Sequence, residues 1–92
     1  MNAAIDTAEL NRSRELETFS GLVHALERTR GDQLDMLGML RLAEIQVGAV
    51  RRALVLEARA TGFSWLEVGT ALGLTDTEAL HLYGHHRVPA GK

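Results

Sequence analysis

The segment from Ser64 to Gly84, SWLEVGTALGLTDTEALHLYG, constrains the fold of this 92-residue chain more than any other stretch. Ser64 and Thr75 each precede a short apolar-periodic run, and a hydroxyl at that place accepts one of the N–H groups that a helix start leaves unpaired. Gly73 lies between the two runs, where a left-handed or strained backbone is cheapest for glycine. Gly69, four positions earlier, supplies the small residue that lets a second helix approach the first. Leu66, Val68, Leu72, Leu74, Ala79 and Leu82 fall where the inner faces are expected. The pattern predicts two short helices crossing at a tight turn. Between Gly62 and Gly84 there is no Lys or Arg.

A small residue inside the first helix and a glycine at the turn are the requirements of a helix-turn-helix. The segment resembles the short helix-turn-helix modules of actinobacterial regulators related to region 4 of sigma factors. Ala58-Arg59-Ala60-Thr61-Gly62, Ser64-Trp65, Glu67-Val68-Gly69, Ala71-Leu72-Gly73-Leu74-Thr75, Ala79 and Tyr83-Gly84 carry the resemblance, without a gap. It implies an all-α bacterial protein that binds double-stranded DNA in transcriptional regulation. Two departures fall on the side that would meet DNA: Asp76 stands where the family usually has Arg, and Leu82 where it often has another.

Upstream, Leu16, Phe19, Val23 and Leu26 recur at helical spacing, with Leu22 widening the stripe. They predict a helix from Asp6 or Thr7 to Arg30-Gly31, with Asp6 and Glu9 as a cap pair, Gly31 as the stop and a bend at Ser20-Gly21. A second helix is expected from Asp32 to Thr61, spanning roughly 45 Å, with Gly48 a place for a kink. Met36, Leu40, Ala43, Val47, Val50 and Leu54 form one seam on it, and Met39, Leu42, Ala49, Ala53, Leu56 and Ala60 an adjoining stripe. Together they are wider than one partner helix covers. The first helix folding back covers part as an antiparallel hairpin, and the remainder marks an interface. The expected organisation is a helical hairpin over residues 1–49 for homodimerisation, through Met36, Met39, Leu40, Ala43 and Val47. A trihelical helix-turn-helix module with a short tail follows over residues 50–92.

The formal charge is −2, which gives no general attraction to phosphate. Residues 1–35 carry seven acids against four arginines, and residues 36–92 six basic residues against five acids. Positive surface must come from Arg51, Arg52, Arg59 and the His85-His86-Arg87 tail, which flank the motif. There is no cysteine, hence no disulfide framework and no thiolate metal site. The absence of a leader pattern and of any long uncharged apolar run predicts a soluble, cytoplasmic protein with no membrane partner. No nucleophile–base spacing, isolated acid pair or phosphate loop appears, so no enzymatic activity and no cofactor are expected. Glu78, His81 and His85 would align on a continued helix, but Gly84 interrupts it and a further ligand is wanting, so no metal is expected. His24 reads as a rim residue, and Trp65 and Tyr83 read as core, Trp65 packing near Phe63 and Leu56.

In a helix-turn-helix docked on DNA, side chains at the start and outer face of the second helix reach the base edges. Here those are Thr75, Asp76, Thr77, Leu80 and His81, with Arg51, Arg52, Arg59 and Arg87 as phosphate contacts. Hydroxyls suit bases or phosphates, Leu80 suits a thymine methyl, and Asp76 suits cytosine N4. The alternative expectation is a module of this fold that binds another regulator or transcription component through its acidic face.

Overall fold

The computed structural model describes residues 3–84. These form four helices and no strand: α1 (Ala3–Arg28), α2 (Gln33–Ala60), α3 (Trp65–Leu72) and α4 (Asp76–Tyr83). The protein is all-α, and no helix among the described residues is long and apolar enough to cross a membrane.

α1 begins earlier than the sequence suggests. The run Ala3-Ala4-Ile5 continues the helix past Asp6, so Asp6 and Glu9 lie within it, and Glu9 sits 3.8 Å from Arg12 instead of capping. The helix ends at Arg28, short of Gly31; Thr29 then donates its N–H to Leu26 and its hydroxyl to the Ala25 carbonyl. Asp32 is the N-cap of α2, not its first residue, and accepts the Asp35 N–H at 3.0 Å. α2 then runs through Gly48 without interruption to Ala60, as α1 runs through Gly21.

α1 and α2 lie antiparallel. Arg12, near the start of α1, forms a two-pronged ion pair with Glu57, near the end of α2, at 2.8 and 3.2 Å. Gln46 donates to the carbonyl and the carboxylate of Glu15, and the Thr29 hydroxyl meets the Met39 sulfur. The Arg12 hydrogen bond holds the Glu57 carboxyl below its ordinary value, against the opposing effect of burial, and the same bond raises Arg12. Ala8, Ala43 and Ala53 are buried, small enough for the two helices to come close.

A second core sits where the end of α2 meets α3 and α4. Val55, Val68 and Ala79 are buried, with Trp65, Leu72, Leu74 and Tyr83 packed against them. All six buried apolar residues are Ala or Val, and among the described residues no large side chain is fully buried. Much apolar surface is therefore left at the exterior, including Leu37, Leu40, Ile45, Leu54 and Leu66.

Candidate functional site

The site is built on α3, its turn and α4. Ser64 accepts the Glu67 N–H at 3.1 Å, while the Glu67 carboxylate accepts the Ser64 N–H at 2.9 Å. Thr75 and Glu78 repeat this reciprocal cap at the start of α4, at 3.0 and 2.8 Å. Eight residues are too few to hold a helix alone in water, so these caps and the shared core stabilise both. Gly73 closes α3 with φ +77°, the left-handed region that L side chains rarely enter. A Cβ at Gly69 would lie 2.8 Å from the carbonyl oxygens of both Leu74 and Thr75. That glycine therefore sets how closely the chain returns over α3. The Leu74 N–H closes the turn on the Gly69 carbonyl at 2.7 Å.

The inner faces are narrower than the sequence pattern suggested. Val68 and Ala79 are buried, and Leu72 and Leu74 reach the core, but Leu66 is 62% and Leu82 53% exposed. At 100° per residue, Leu66 points away from the Trp65–Val68–Leu72 line, and Leu82 from the Ala79–Tyr83 line. Trp65 packs against the core, its ring covered by the Arg59 guanidinium at 4.8 Å from the centroid; Phe63 stays half exposed. Tyr83 packs against the same core.

Thr75, Asp76, Thr77, Leu80 and His81 are all exposed. Thr77 and His81 are one turn apart and point opposite Ala79, with Leu80 on one flank. Asp76 is engaged locally: its Oδ1 accepts the Thr77 N–H at 2.7 Å and the Thr77 hydroxyl at 3.4 Å. Two carboxylates thus sit in the first turn of α4, where the helix dipole favours negative charge.

The arginines divide. Arg52 and Arg59 are seven residues apart and share one face of α2, two turns apart. Arg51, about 100° away, borders an apolar groove of about 470 Å³ between α2 and α3, lined by Leu54, Val68, Ala71 and Leu72. Arg59 also donates to the Phe63 carbonyl at 2.7 Å, locking the α2–α3 connection. Arg87, with His85 and His86, lies outside the described residues. Among the described residues no group of three metal-ligating side chains converges. His24 is exposed beside Glu27.

The interface candidates also divide. Met36 and Leu40 are 42% and 43% exposed, and Val47 is partly buried on the same face at the mouth of the α2–α3 groove. Ala43 is buried within the chain, and Met39 is partly buried at the Thr29 hydroxyl, so both face α1. Leu54 prolongs the Met36–Leu40–Val47 line and is 44% exposed. The sequence signal for it was its seven-residue offset from Val47. The cleft formed by Arg59 and Trp65 against Thr77, Leu80, His81 and Tyr83 of α4 had no such signal, because it depends on how α4 sits against the end of α2. No family model, curated protein or solved structure matches this chain.

Proposed function

We propose that this chain is a helix-turn-helix protein of bacterial transcriptional regulation that binds double-stranded DNA as a homodimer. The observation carrying the reading is the turn: Gly69 against the Leu74 and Thr75 carbonyls, with left-handed Gly73, holds α4 across α3 with its outer face open. In this reading residues 50–92 are the trihelical DNA-binding module and residues 1–49 the hairpin that pairs two copies. Thr75, Thr77, Leu80 and His81 meet base edges, Asp76 accepts from cytosine, and Arg52 and Arg59 hold phosphates from one face of α2, with Arg51 and Arg87 flanking. The line of exposed Met36, Leu40 and Leu54 with partly buried Val47 joins the hairpins, and the pairing sets the spacing between half-sites. The resemblance to actinobacterial regulators related to sigma factor region 4 supports the same role.

A second reading is favoured by one observation, the carboxylates of Asp76 and Glu78 in the first turn of α4 with no Lys or Arg from Gly62 to Gly84. In that reading the module binds another regulator or transcription component. Anisotropy titration of the full chain against random-sequence duplex DNA over a salt series separates the two. The DNA reading expects affinity that falls with salt in proportion to the phosphates neutralised. No binding at low salt overturns it in favour of the protein partner.

A further inference from the structure

Beside the outer face of α4 lies a cleft of about 750 Å³, bounded by the end of α2, the start of α3 and the length of α4 from Thr77 to Tyr83. Its size is that of ordinary small-molecule sites, and so is its make-up: mostly apolar walls with a few convergent polar groups. Trp65, Tyr83 and Leu80 supply the walls, and Arg59, Thr77 and His81 the polar groups. The chain carries twelve acids, yet none lines this cleft. Arg59 is held in place by the Phe63 carbonyl and the Trp65 ring, so its fork is already positioned. A guanidinium has five N–H donors, of which Phe63 takes one. A fixed guanidinium over an aromatic wall suits a ligand that is flat and apolar with an anionic end, because carboxylate matches the fork two bonds at a time.

We propose that this cleft binds a planar aromatic carboxylate, its ring among Trp65, Tyr83 and Leu80 and its carboxylate on Arg59. Thr77, Leu80 and His81 belong both to the cleft and to the face assigned to DNA, so occupancy and duplex binding exclude each other; this consequence alone rests on the DNA reading.

The test measures the cleft without DNA, so its failure is distinct from failure of the DNA reading. Trp65 is the only tryptophan, and its indole N–H gives one resolved signal in a nitrogen–proton correlation spectrum. The full chain is titrated with 2-naphthoate and with its neutral isostere 2-naphthamide. Naphthoate should shift the signals of Trp65, Thr77 and Leu80 with a Kd of about 1 mM or tighter. The amide should bind about tenfold more weakly, the difference expected for losing one charge-assisted contact. Arg59→Gln should abolish that preference, Arg59→Lys should keep part of it, and Arg41→Gln, on the exposed surface of α2, should leave it intact. If Arg59→Gln unfolds the chain, Arg59→Lys and the naphthoate-to-naphthamide ratio still decide. Equal binding of the two probes, shifts confined to the Met36–Leu54 face, or no shift at several millimolar would overturn the proposal.

Discussion

Replacing Gly69 by alanine tests the geometry on which the site stands, because it sets two opposite effects against each other. At an ordinary helix interior alanine is favoured over glycine by about 1 kcal/mol. At Gly69 the added methyl lies 2.8 Å from the Leu74 oxygen, 2.8 Å from the Thr75 oxygen and 3.0 Å from the Thr75 carbonyl carbon. All three atoms are backbone, so no rotamer change relieves the contact and the turn itself must move. Overpacking of this kind costs about 1–3 kcal/mol, and shifting the turn also loosens Ala79, which is fully buried. With the propensity gain of about 1 kcal/mol set against it, Gly69→Ala should lose up to about 2 kcal/mol, a fall in melting temperature of up to roughly 15 °C. Gly21 is the internal control. It lies in α1 with nothing within 4 Å of its Cβ position, so Gly21→Ala should gain about 0.5–1 kcal/mol. Both variants are melted by circular dichroism at one protein concentration, since association would shift the midpoint. If Gly69→Ala melts above wild type, as Gly21→Ala should, α4 does not cross α3 as closely as described, and the reading of its outer face fails with it.

Three further outcomes are expected. Gly73→Val forces a β-branched residue to φ +77° and should cost about 1–3 kcal/mol in a denaturant titration; an unchanged midpoint would refute the left-handed turn. Leu40→Glu places a charge on the exposed apolar line of α2 and should convert a dimer into a monomer at micromolar concentration; sedimentation of the wild type as a monomer sinks the pairing. Glu57 has its pKa lowered from 4.5 by the Arg12 hydrogen bond, so its contribution is complete above that value and is lost as pH falls through the lower, folded one. The melting temperature of wild type should therefore exceed that of Glu57→Gln at pH 7, and the gap should narrow toward pH 3; a constant gap would show that the ion pair contributes nothing. Arg12, raised above its ordinary value by the same hydrogen bond, stays protonated throughout this window.

What could be read in the sequence was local. The caps at Ser64 and Thr75, the turn at Gly73, the close approach at Gly69 and the start of α2 at Asp32 all depend on residues within a few positions of one another. The Glu67 and Glu78 halves of the two caps were equally local, three residues after Ser64 and Thr75. Pairings across the fold carried no such signal: Arg12 finds Glu57 forty-five residues away, and Glu15 finds Gln46 thirty-one away. The inward apolar set was read too generously because an eight-residue helix has room for only one narrow stripe. Leu66 and Leu82 lie just outside that stripe and end on the surface.

The acids of α4 explain why function was harder to read than fold. Glu78 completes the cap on Thr75, and Asp76 accepts the Thr77 N–H, so charges that appear hostile to phosphate also hold a short helix together. Charge and cap must be separated before Asp76 can be assigned a role, and two substitutions do so. Asp76→Asn keeps a side-chain oxygen for the Thr77 N–H and removes one negative charge; Asp76→Arg removes the acceptor and reverses the charge. If α4 faces DNA, duplex affinity at fixed salt should rise from wild type to Asp76→Asn and again to Asp76→Arg, the second rise provided far-UV circular dichroism shows the helix retained. Each step gained against phosphate should also steepen the salt dependence. If Asp76→Asn leaves affinity and salt slope unchanged while both variants stay folded, Asp76 lies away from the duplex, and α4 presents its acids to a protein.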